Sequence, residues 1–238
     1  MTHSVLDIRN IEKSFGGHRA VNQVSLNISK GSLLGIIGPN GAGKSSFLNC
    51  LIGVYVPEKG DIILNGESIL GKPTYQIIRK GLSRTFQVPK IFQENTILEN
   101  MLTPVLHLND KRSALEEKAS KLLSWVGLGG REHSLAKALS GGQQKLLEFA
   151  RSLMNDPDII LLDEPFAGVH PNLKQVMVNG IRELHQQGKT ILLVSHDMPT
   201  LYQLTNDIIV LSQGAIIARG TPKQLQNDPV VVEAYFGG

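Results

Sequence analysis

With 238 residues, the chain is long enough for one large domain or two small ones around a buried core. Hydrophobic residues make up 41% and charged residues 19%, which excludes a disordered chain, and the single cysteine, Cys50, excludes a disulfide framework or a cysteine-based zinc site. Lys plus Arg number 24 against 21 Asp plus Glu, a net charge of +3 and too slight a surplus for a nucleic-acid binder.

The opening MTHSVLDIRN lacks the charged-then-apolar layout of a signal peptide, so the protein is expected to stay in the cytoplasm. No apolar run approaches the roughly 18 residues that span a bilayer. The segments LDIRNIEKSF and AVNQVSLNIS alternate apolar and polar residues and predict half-exposed strands of a small antiparallel sheet. Residues 32–37, SLLGII, predict a short buried strand, followed by a glycine-rich loop and the helical SFLNCLIG, in which Cys50 reads as a small buried apolar residue. GDIILNGESI alternates again and joins the antiparallel set. The densest basic cluster, Arg79, Lys80 and Arg84, predicts a solvated face.

From Pro89 to Asp156 the pattern turns helical, as in KRSALEEKASKLLSWVGL, with Trp125 expected in the core of an inserted helical subdomain. Three apolar strands follow: 158–162, 190–194 and 207–211, the last turning at Ser212-Gln213-Gly214 into AIIARG as a hairpin. The ending DPVVVEAYFGG predicts a short helix or strand and a glycine tail. Short, wholly apolar strands separated by helices predict an α/β fold whose mostly parallel sheet is covered on both faces. The expected layout is one domain, with residues 1–88 and 157–238 as the core and antiparallel β subdomain, and 89–156 as the helical subdomain.

Gly38-Pro39-Asn40-Gly41-Ala42-Gly43-Lys44-Ser45 fits G-x-x-x-x-G-K-[ST] between a predicted strand and a predicted helix. The glycines let backbone N–H groups turn toward phosphate oxygens, and the helix end adds partial positive charge. Lys44 can reach the β- and γ-phosphates and Ser45 can ligate Mg²⁺, with Ser46 following in the first helical turn. Asp163, after the strand at 158–162, is placed to hold Mg²⁺ through water, and Glu164 beside it can accept a proton from attacking water. These residues point to a nucleoside triphosphate.

Leu139-Ser140-Gly141-Gly142-Gln143 then resembles the LSGGQ signature of ABC-transporter ATPase subunits, and with the phosphate loop and LLDEP the likeness covers essentially the whole chain. Ser140, Gly141 and Gly142 open a predicted helix, a second anion-binding terminus. The resemblance implies a P-loop NTPase (RecA-like) fold and an ATPase that uses ATP and Mg²⁺. It also implies a dimer, homo- or heteromeric, in which Ser140 to Gln143 closes on the nucleotide of the second ATPase subunit. By the same resemblance Phe15 stacks on adenine, Gln87 is the Q-loop glutamine that reaches Mg²⁺ and the lytic water, and His196 is the switch histidine at the γ-phosphate. His170 stands where the family carries Asp or Asn in the D-loop and makes site coupling a candidate for pH sensitivity.

Within the family, GLSRTFQ, IFQENTILENM, DEPFAGVHP and the ending EAYFGG resemble the branched-chain (hydrophobic) amino-acid importer branch. Lipopolysaccharide-export and urea or amide transporter ATPases are the rival readings, and a soluble non-transport ABC ATPase a more distant one. The importer reading implies membrane permease subunits as partners, docked near Gln87 to Met101, and indirectly a periplasmic or extracellular solute-binding protein. It implies a peripheral position on the cytoplasmic face of the membrane.

Overall fold

The computed structural model describes residues 4–236. The glycine tail, Gly237-Gly238, and the first three residues of the opening segment lie outside them. The long strands β1 (Ser4–Phe15) and β2 (His18–Ser29) form an antiparallel hairpin. Their burial alternates, because one face of this sheet meets the core and the other meets solvent. β3 (Leu33–Ile37), buried at every residue, leads through a loop into α1 (Lys44–Leu51). β4 (Lys59–Leu64) and β5 (Glu67–Ser68) complete a four-stranded sheet of order β2-β1-β4-β5. Cys50 is buried on α1 with its thiol pKa pushed up to about 12 by burial, so it packs as an apolar group.

After α2 (Thr74–Arg79) comes β6 (Leu82–Arg84), a strand that the sequence pattern does not announce. The helices α3 (Ile97–Leu102), α4 (Arg112–Trp125) and α5 (Gly141–Ser152) follow. α3 begins in a capping box, Thr96 with Glu99. β7 (Ile159–Asp163), α6 (Pro171–Gln186), β8 (Thr190–Val194) and α7 (Met198–Leu204) alternate strand and helix. β9 (Asp207–Ser212) and β10 (Ala215–Gly220) form the expected hairpin, and α8 (Pro222–Gln226) and α9 (Pro229–Phe236) close the chain.

The main sheet has six strands in the order β10-β9-β3-β8-β7-β6, parallel except for β10. Because side chains alternate along a strand, its apolar residues divide between two cores. Ile160, Leu162, Ile191, Leu193, Ile208 and Val210 join the core that contains α3, α4, α5 and α6. Ile159, Leu161, Leu192, Val194, Ile209 and Leu211 join the core that contains α1 and the antiparallel sheet. This is the doubly covered α/β sheet that the apolar strands predicted. Trp125 is half-buried, and its indole N–H donates to Glu183 Oε2 on α6 at 2.7 Å. It therefore joins the helical segment to α6 instead of sitting in the interior of that segment.

Candidate nucleotide site

Between β3 and α1 the chain curls through Gly38, Pro39, Asn40, Gly41, Ala42 and Gly43. Two of these glycines are required by space as well as by backbone angle. Gly38 has φ 152°, and a Cβ there would stand 2.1 Å from the Leu211 carbonyl oxygen. Gly43 has φ 95°, and its Cβ would stand 2.1 Å from the Ala20 oxygen. Gly43 is also the N-cap of α1 and offers no side chain to its first N–H groups, which leaves them to an external acceptor. Lys44 is buried, and its Nζ donates to the Gly38 and Pro39 carbonyls at 2.7 and 2.9 Å. Burial pulls the Lys44 pKa below the usual lysine value, and the Glu164 and Asp163 carboxylates oppose that shift.

The order β3-β8-β7-β6 brings four strand ends to one edge of the sheet, where ligands of such folds collect. Ser45 Oγ lies 3.4 Å from Asp163 Oδ1 at the end of β7. The other Asp163 oxygen, Oδ2, accepts from Arg84 Nη2 at 2.8 Å, with both side chains almost fully buried, 2% and 3% exposed. Arg84 also donates to Asn49 Oδ1 at 2.6 Å. The expected solvated basic face therefore does not include Arg84. It is a buried residue of β6, while Arg79 is exposed and Lys80 pairs with Glu67.

Glu164 is buried with a left-handed backbone, φ 48°, an unusual conformation for a non-glycine residue. Its Oε2 accepts from the His196 backbone N–H at 3.1 Å. Its Oε1 lies 3.1 Å from His196 Nε2 but makes no aligned hydrogen bond, so this buried oxygen keeps a free lone pair. Asn40 to Ser46, Gln87, Asp163, Glu164 and His196 line one cleft, together with Phe15, His18 and Ala20. Phe15 is 44% exposed and stands edge-on to Tyr55, ring centroids 4.8 Å apart.

Residues 21–167 match the family described as "ABC transporter", and residues 215–238 match "Branched-chain amino acid ATP-binding cassette transporter". The chain is 38% identical to the probable branched-chain amino acid transport ATP-binding protein LivG of Archaeoglobus fulgidus, covering 98% of this chain and 95% of that one. The high-affinity branched-chain amino acid transport ATP-binding protein BraF of Pseudomonas aeruginosa is 39% identical, covering 100% and 99%. The chain belongs to the ABC transporter family. It is an ATP-binding subunit of the branched-chain amino-acid type, and an ATPase. An ABC-transporter cassette solved in its ADP conformation superposes with TM-score 0.87 at 35% identity, covering 100% of both chains. A dimeric post-hydrolysis cassette bound to ADP and Pi superposes with TM-score 0.84 at 25% identity, covering 91% of this chain and 98% of that one.

The signature residues of this cassette lie apart from the cleft that its phosphate loop lines. Ser140 caps α5 in a capping box: its Oγ accepts from Gln143 N at 3.4 Å, and Gln143 Oε1 accepts from Ser140 N at 3.0 Å. Ser140 and Gly141 are exposed, while Gly142 is buried. His170 is the N-cap of α6, its Nδ1 accepting from Asn172 N at 3.4 Å. Of the segment expected to dock a permease, Ile91 packs on the core, while Val88 and Phe92 are 67% and 50% exposed. Among the described residues no helix is long and apolar enough to cross a membrane.

Sequence reasoning missed two contacts of the site. Arg84 is one. The other is Lys145 of α5, whose Nζ donates to the Glu164 carbonyl at 2.9 Å and whose pKa burial lowers. A basic residue inside the helical run QQKLLEFARSLM was the available signal.

Proposed function

We propose that this cassette holds MgATP between its own phosphate loop and the signature helix of a second cassette. Its hydrolysis would energise permease subunits that import branched-chain amino acids from a solute-binding protein. The observation that carries the reading is the separation of two half-sites on one chain. The cleft at the sheet edge gathers Lys44, Asp163, Glu164, His196 and Gln87, while the exposed Ser140 and Gly141 at the start of α5 are not among the residues that line it. The existence of a dimeric relative with ADP and Pi supports a second cassette as the partner.

The residues carry the chemistry as follows. The N–H groups of the phosphate loop and the Lys44 ammonium bind the β- and γ-phosphates. Phe15 offers a half-exposed ring face for adenine stacking. Ser45 Oγ and Asp163 Oδ1 face each other across 3.4 Å with the second Asp163 oxygen held by Arg84, an all-oxygen set that suits Mg²⁺, with Gln87 as a further ligand. When bound, the cation neutralises charge on the transferring phosphoryl group. Glu164 Oε1, buried and without an aligned donor, is fitted to accept the proton of attacking water. His196 lies against the same carboxylate and lines the same cleft as the phosphate loop, which supports a contact with the γ-phosphate. The exposed Val88 and Phe92 beside Gln87 suit a permease contact, which would hold the cassette on the cytoplasmic face of the membrane.

The test is co-purification with the companion permeases, reconstitution in vesicles, and uptake of labelled leucine, isoleucine and valine with and without MgATP. ATP-dependent accumulation of these solutes is the expected result. ATP-dependent movement of a different solute, with none of these, would reassign the cargo while leaving the ATPase role intact.

A further inference from the structure

We propose that Glu148 of α5 is a positioning residue for Gln87. Its carboxylate clasps both flanks of the loop that carries the glutamine and ties that loop to the signature helix. Glu148 is 3% exposed, within a stretch of α5 that is buried at every residue from Leu146 to Ala150. A charge in such a place needs partners. Its Oε2 accepts from Phe86 N at 3.1 Å and its Oε1 from Lys90 N at 2.8 Å. Gln87 lies between those two residues. Arg151, one turn further along the same helix, donates to the Lys90 carbonyl and stands 3.9 Å from Glu148 Oε1. Lys90 therefore has both backbone polar groups taken by α5.

These contacts define the loop's anchor. β6 ends at Arg84 and the next helix starts at Ile97, so the segment around Gln87 has no ladder of its own. Gln87 is exposed at the cleft, and the nearest fixed points of its backbone are the Phe86 and Lys90 amides on one carboxylate. Charge-assisted bonds to a buried carboxylate are stronger than neutral ones, and removing the acceptor strands two N–H groups. The same helix begins at Ser140, eight residues or roughly 12 Å before Glu148. One rigid rod thus carries the signature at its end and the Gln87 clasp two turns inside. A displacement of the signature is transmitted to the glutamine through the helix.

The inference rests on the reading of Gln87 as a residue that reaches the nucleotide. The experiment compares the full chain with Glu148→Ala, Glu148→Gln, Gln87→Ala and the Glu148→Ala/Gln87→Ala double variant. It measures kcat, KM, equilibrium ATP binding, melting temperature, and deuterium uptake of peptides covering residues 85–91. The expected result for Glu148→Ala is faster exchange at 85–91 and a kcat loss on the order of 10–10²-fold, typical of a misplaced positioned group. ATP binding holds, because the phosphate loop is untouched. Glu148→Gln, which keeps one accepting oxygen, falls between wild type and Glu148→Ala in both readouts. The double variant is no slower than Gln87→Ala, since both changes remove one action.

A wild-type kcat in Glu148→Ala, additive losses in the double variant, or unchanged exchange at 85–91 would overturn the clasp. If Glu148→Ala does not fold, Glu148→Gln decides: freed amides with wild-type kcat overturn the proposal. A wild-type kcat in Gln87→Ala would instead remove the role of Gln87, and the positioning role falls with it.

Discussion

Glu164 and Arg84 illustrate what single residues do at the sheet edge. Glu164 keeps one carboxylate oxygen without an aligned donor in a buried position beside His196. Glu164→Gln preserves shape and removes basicity, so ATP binding is expected to persist while turnover falls on the order of 10²–10⁴-fold. Steady-state hydrolysis measured beside nucleotide titration checks this, and unchanged turnover would take Glu164 out of the base role. Arg84 is a different case, because its pair with Asp163 is buried on both sides. Removing one member leaves an uncompensated buried charge, which costs about 3–5 kcal/mol. Arg84→Ala is therefore expected to lower the melting temperature by roughly 10 °C. A shift below a degree or two would mean that water replaces the guanidinium at no cost.

Among the elements, the short strand β5 is held to α2 by charge. Glu67 accepts from Lys72 and Lys80, on the turns before and after α2, and their contacts lower its pKa from 4.5 to about 2. A carboxylate with a depressed folded-state pKa contributes stability that is fully present above its unfolded value. That contribution is lost as pH falls from about 4.5 toward 2. Both ion pairs are partly exposed to solvent, so the effect is small. Glu67→Gln is expected to match wild type more closely at pH 3 than at pH 7 in denaturant melts. Equal differences at the two pH values would show that the lysines do not favour the charged form.

At the scale of the molecule, the start of α5 at Ser140 lies outside the set of residues that line the phosphate-loop cleft, and the proposed reading makes each of the two regions half of a site completed by a second chain. Ser140→Arg places a bulky cation at the α5 terminus without touching the phosphate loop. The isolated chain is expected to bind ATP as wild type does and to lose hydrolysis, with no dimer on sizing in MgATP. Mixing it with Glu164→Gln chains gives a direct check, since one composite site then pairs two intact halves. Loss of nucleotide binding in the isolated Ser140→Arg chain would contradict a site shared between chains.

Much of this was legible in the sequence because it is written locally. The all-apolar runs of β3, β7 and β8 follow from burial on both faces, and the alternation of β1 and β2 from burial on one. The phosphate loop announces itself by spacing, because backbone curling acts over a few residues, and the LSGGQ segment by its resemblance to the family signature, with a helix cap that is likewise local. The remainder depended on contacts between residues distant in sequence. β6 is three residues, Leu-Ser-Arg, with no apolar run, and becomes a strand by pairing with β7. Arg84 meets Asp163 across 79 positions, Glu148 meets Phe86 across 62, and Lys145 reaches the carbonyl of Glu164 from the signature helix. A charged side chain in sequence reads as a solvated surface, because hydration is the default for charge. Only the tertiary structure supplies the buried partner that makes its desolvation tolerable.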